Sequence, residues 1–132
     1  MAHNSAVTSP NAEDPLLRGR IYAIPFEDVW QGTLRVVRER LRGWSLDSAD
    51  DQEGRVVARV QGWWKKLHGV VEITITLDAD AQTRVAAQAV TRDTNRDWGV
   101  NARRLRQFAR ALDREAAREL ARRRGAAGPR AS

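Results

Sequence analysis

Alternation of apolar and polar residues dominates the middle of the chain. In VVEITITL (70–77), Val71, Ile73, Ile75 and Leu77 share one side, and Val70, Glu72, Thr74 and Thr76 share the other. A period of two is that of a half-buried strand in an antiparallel sheet. RVVARVQ (55–61) alternates in the same way, with Val56, Ala58 and Val60 on one face. RVAAQAV (84–90) follows, with Val85, Ala87 and Ala89 inward. GRIYAI (19–24) alternates weakly up to Pro25 and predicts a short first strand. GWSLDSADDQE (43–53) predicts a strand running into a turn at 50–54, and DADAQT (78–83) a turn.

Two stretches carry the helical period instead. After Pro25, which suits a first helical turn, come Glu27 and Asp28, which favour a helix start through the dipole. Phe26, Trp30, Leu34, Val37 and Leu41 then recur every three or four residues, and Gly43 ends the pattern. Near the end, Leu105, Phe108, Leu112 and Ala116 form a second stripe.

The predicted order is β-α-β-β-β-β-α. Short connections favour sequential antiparallel pairing, so the expected fold class is α+β, an antiparallel sheet with both helices packed on one face. Residues 1–18 are rich in Ala, Ser, Asn, Thr and Pro without periodicity and are expected to be a disordered tail, as are residues 125–132. The single domain is then 19–124.

Charge sharpens this picture at one place. Residues 1–96 hold 13 Lys+Arg against 13 Asp+Glu, whereas residues 97–132 hold 10 Arg against 4 acids, so the net +6 lies in the last 36 residues. A basic segment on a neutral body marks where an acidic partner would dock. Arg106, Arg110, Arg114, Arg118 and Arg122 recur every four residues, which invites a nucleic-acid or polyanion reading. Steps of four drift by about 40° each around a helix, so the row spreads over the solvent side as a broad spiral. The competing reading is a solvated face on which Glu115 and Glu119 make helical ion pairs. No stacking aromatics are interleaved among these arginines.

Candidate chemistry is sparse. With no cysteine, disulfides and thiolate metal sites are excluded. No apolar segment follows a basic start, and none reaches membrane-span length, so the expectation is a cytoplasmic chain without a membrane span. His3 lies in the expected tail and His68 in a predicted turn, and nothing completes a metal site around them. No phosphate loop, HExxH or GxSxG is present. The expectation is no cofactor, no metal and no enzyme. Trp30 and Trp44 are expected in the core. Trp63 and Trp64 are neighbours beside Lys65 and Lys66, so on a strand one indole would be buried and the other exposed.

The end of the chain resembles a known family. Thr91-Arg92, then Asp97-Trp98-Gly99-Val100-Asn101, then Arg104 and Phe108 on a helix, are similar to the closing motif of domain-of-unknown-function family 1499. The earlier FEDVW helix, the Gly-Trp step after it and a strand pair with an aromatic turn look similar too, over about residues 21–115. Thr91 stands where that family tends to have serine, and His68-Gly69 where an acidic pair is frequent. The family has no established activity, so the resemblance implies a fold more than a function.

Physically, Asp97 is placed to cap the helix, Gly99 permits an unusual φ, Asn101 can fasten the loop to a strand, and Arg92 can pair with Asp97. The functional alternative is an anion or polar ligand at the helix N-terminus, held by Arg92 or Arg103. The expected role is therefore a non-catalytic domain binding a protein or small ligand through Trp63, Trp64, His68, Arg92, Asp97, Asn101 and Arg103. The alternative partner is nucleic acid or another polyanion on the arginine row. Ala86, Ala87 and Ala89 would leave room for an apolar ligand under the second helix.

Overall fold

The computed structural model describes residues 5–62, 68–91 and 99–127. Six strands form one antiparallel sheet: β1 (Ser5–Val7), β2 (Arg20–Tyr22), β3 (Trp44–Asp50), β4 (Arg55–Val60), β5 (Gly69–Leu77) and β6 (Thr83–Thr91). Helix α1 (Phe26–Arg35) runs into a π turn (Val36–Arg40), and α2 spans Val100–Ala127. The α+β class and the antiparallel sheet agree with the alternation in the sequence.

The sheet order is β1-β6-β5-β4-β3. Val56, Ala58, Val71, Ile73, Ile75, Val85 and Ala89 are each at most 1% exposed and form one face. Val29, Trp30, Val36 and Val37 from α1 and its π turn, and Leu105, Phe108 and Leu112 from α2, join them in a single core. Both helices therefore cover the same face. Burying each large apolar side chain there stabilises the fold by about 1.5–3 kcal/mol. Trp30 and Trp44 are in this core, Trp30 stacked on Phe26 and Trp44 on Phe108.

Several boundaries differ from the pattern. Residues 5–18 are not a tail. Ser5–Val7 pairs with Gln88, Ala89 and Val90, and at the next position Thr8 N–H donates to Ala87 O while Thr8 Oγ1 accepts from Ala87 N–H. A 3-10 turn (Pro15–Leu17), capped by Asp14, packs on α2. Backbone pairing needs no apolar periodicity, which is why composition concealed it. At the other end α2 continues through Gly125 to Ala127, because a glycine can keep helical angles when nothing else stops the helix. On α1 the buried line is Val29, Thr33 and Val36 with Trp30 and Val37, while Phe26, Leu34 and Leu41 are only half-buried at its edge. Leu77 is 60% exposed, since it stands at the end of the β5–β6 hairpin, outside the covered part of the face. Ala87 and Ala89 are packed in the core, whereas Ala86 is exposed on the opposite face, so the three alanines do not line a common space.

Several buried polar groups between sheet and helices are paired. Thr33 Oγ1 donates to Val29 O and Thr83 Oγ1 to Ile24 O. Burial, and then the hydrogen bond that it donates to Asp113, push the Tyr22 hydroxyl well above its ordinary pKa. Glu115, 4% exposed, receives Arg35 at 2.5 Å, Arg118 at 3.1 Å and Arg40 at 3.4 Å. Burial alone would raise its pKa, but the Arg35 hydrogen bond and the three cations outweigh that and hold the carboxyl below its ordinary range.

Candidate functional site

The sheet places the end of β6 beside the start of β5: Thr91 pairs with Gly69. The first turns of α2 lie over that point. Gly99, with φ +75°, precedes the helix, and its carbonyl accepts from Arg103 N–H. Asn101 is fully buried and Arg104 is 5% exposed. A Cβ on Gly69 would collide with the Arg104 guanidinium and with Val90 O. Glycine at 69 is therefore what lets an arginine lie across the start of β5. Burial first, and then the neighbouring charge of Arg103, lower the Arg104 pKa.

Of the sequence-predicted site residues, His68 and Asn101 come to this end of the sheet. Arg103 is exposed on the helix surface, one position before the buried Arg104. Trp63, Trp64, Arg92 and Asp97 lie outside the described residues. Arg104 belongs to the closing motif, but its burial was missed, although a signal existed. Asn101, Arg104, Phe108, Ala111 and Glu115 fall at the spacing of three and four that the core stripe follows. Polar identity at those positions concealed a buried register.

A cleft of about 620 Å³ opens beside this point, on the sheet face away from the helices. Ser45, Asp47, Arg59, Gln61 and His68 line it, with Val57 and Val70 as apolar floor. Arg59 alternates outward on β4, and a bulge between Leu46 and Ser48 brings Asp47 to meet it: Arg59 Nε lies 3.1 Å from Asp47 Oδ1. Trp44 to Asp47 still alternate, so Asp47 points outward like Ser45; what the sequence does not disclose is the cross-strand register that sets it against Arg59.

A family model described as "Protein of unknown function (DUF1499)" matches residues 2–112. The chain belongs to this family. Its match takes in β1 and the 3-10 turn, in keeping with an N-terminal segment that is part of the DUF1499 fold. No curated protein matches the chain significantly. In this DUF1499 domain the residues read as departures from the family pattern have a structural consequence: Gly69 makes room for Arg104, and His68 lines the cleft.

The arginine row of α2 is not one surface. Arg106 Nε reaches Asp14 Oδ2 at 2.6 Å, and that hydrogen bond holds the Asp14 carboxyl below its ordinary range. Arg118 bonds Glu115, Arg122 bonds Glu119 at 2.5 Å, and Arg123 bonds both Glu119 and Asp28. Arg110 and Arg114 make no ion pair among the described residues and line a separate cleft with Arg40 and Arg42.

Proposed function

We propose that this DUF1499 domain is a non-catalytic binding domain whose ligand occupies the cleft on the open sheet face. The observation that carries the reading is the Arg59–Asp47 pair beside His68 in a space of about 620 Å³, within the roughly 300–1,000 Å³ range of small-molecule sites. A cation, a carboxylate and an imidazole over an apolar floor suit a small ligand with both charged and apolar parts, or a protein loop presenting them. Asp47 turns to Arg59, which favours recognition over proton transfer. Arg104 and Asn101 serve as the brace that holds the start of β5, and hence His68, in place. Ion pairs at Arg106, Arg118 and Arg122 weigh against a continuous nucleic-acid surface along α2.

The test is a screen of amino acids, amines and small carboxylates by amide NMR spectra of the labelled protein. The expected result is saturable shifts at Ser45, Arg59 and His68 that disappear in Arg59→Ala. Shifts only on α2, or none at these positions with any ligand, would reject the reading.

A further inference from the structure

A second cleft, of about 340 Å³, lies between the segment that follows α1 and the middle of α2. Four arginines line it, Arg40, Arg42, Arg110 and Arg114, together with Leu41, Trp44 and Gln107. Among the described residues that line it, none is a carboxylate. Arg40 is anchored from behind, its Nε 3.4 Å from Glu115, a carboxylate already bound by Arg35 and Arg118. Among the described residues Arg42, Arg110 and Arg114 have no ion-pair partner, unlike Arg106, Arg118, Arg122 and Arg123 on the same helix. Asp14 feels the charge of Arg110 but accepts its hydrogen bond from Arg106.

Arg110 and Arg114 are four apart on one helix, a like-charge arrangement that disfavours the helix by a few tenths of a kcal/mol. Two more cations from another segment add to that repulsion. Such a cluster is relieved by a ligand that brings the missing negative charge, and guanidinium forks match phosphate oxygens in pairs. The floor under it is firm, because Trp44 is 7% exposed and stacks on Phe108. Other arginines of this helix are paired with acids: Arg106 with Asp14, Arg118 with Glu115, Arg122 with Glu119 and Arg123 with Asp28. With those neighbours paired, the charge free to meet a ligand is concentrated at Arg42, Arg110 and Arg114, which suits a compact anion.

We propose that this cleft binds a small anion carrying two or more linked phosphate groups, gripped by Arg42, Arg110 and Arg114 with Arg40 as the fixed fourth cation. The site is separate from the open-face cleft, and either can fail without the other.

Calorimetric titration with inorganic tripolyphosphate at about 150 mM salt tests it, using the full chain. The wild type is expected to bind one equivalent saturably. A variant combining R42Q, R110Q and R114Q should bind at least about tenfold more weakly, as expected for the loss of several charge-assisted hydrogen bonds. A control combining R122Q, R123Q and R124Q removes as many charges outside the cleft and should stay within about twofold of wild type. If the cleft variant is poorly folded by circular dichroism, R110Q alone, an exposed position, must still weaken binding. Equal loss in both triple variants would reduce the effect to net charge and overturn the proposal, as would the absence of saturable binding in the wild type. A single-stranded DNA oligonucleotide that binds tightly and is not displaced by tripolyphosphate would assign the surface to nucleic acid instead.

Discussion

Arg104 and Arg110 stand less than two turns apart on α2, yet one lies 5% exposed across the start of a strand and the other faces an open cleft. The difference comes from what each meets. Arg104 falls in the register of the core stripe and finds a glycine in place of a side chain. Arg110 falls on the opposite side, where the segment following α1 brings further arginines rather than acids. The same residue type therefore braces the fold at the N-terminal end of the helix and leaves charge available at its middle. Spacing along a helix fixes the direction of a side chain, but its role depends on the opposing surface.

That contrast should appear most strongly in stability. Arg104→Ala empties a buried volume over Gly69 and leaves its buried surroundings without the guanidinium, so a loss of roughly 2–4 kcal/mol is expected from urea unfolding. A loss below about 0.5 kcal/mol, the scale of an ordinary surface change, would remove the distinction between the two ends.

Glu115→Gln should come next, with a loss of about 1–3 kcal/mol at neutral pH, discounted because its arginine partners are partly exposed. Its pH dependence has a definite sign. The folded pKa lies below the ordinary 4.5, so the stabilisation is fully present above that value and is lost as pH falls through the lower folded value. Wild type should therefore lose stability on acidification below about pH 4.5 more steeply than Glu115→Gln. Parallel acid profiles would show that the carboxylate is not held as described.

The smallest effect is expected at the exposed arginines. Replacing Arg110 and Arg114 together with Gln should change stability by no more than about 0.5 kcal/mol, or raise it slightly by removing like-charge repulsion. A loss above about 1 kcal/mol in thermal or urea unfolding would show that they brace the fold as Arg104 does.

The sequence disclosed the fold through particular strands. Val56, Ala58 and Val60 face the core as their alternation required, as do Val71, Ile73 and Ile75. Leu105, Phe108 and Leu112 did the same for α2. Strand β1 was not legible because Ser5, Ala6 and Val7 join by backbone hydrogen bonds, which leave no mark on side-chain pattern. Part of the candidate site was legible: His68 and Asn101 were chosen and lie at one end of the sheet. The pairing of Asp47 with Arg59 was hidden because it depends on cross-strand register, and the cleft around Arg40 and Arg42 because it is a contact between segments far apart in the chain. No local rule of spacing reports where two distant segments meet.

The two short N-terminal strands also bear on the order of assembly. Strands β4, β5 and β6 are sequence neighbours and close short loops, whereas Ser5 must find Val90 and Arg20 must find Val85. Closing a long loop costs entropy before any hydrogen bond repays it, so distant pairings come late. The outer edge of β6 therefore stays bare after the hairpin has formed, and a bare strand edge is a template for another chain. Pulse-labelled hydrogen exchange should find the Ile73 amide protected before the amides of β1 and before that of Ala87, whose N–H donates to Thr8 Oγ1. The first residues of the domain then act as a late seal against self-association during refolding.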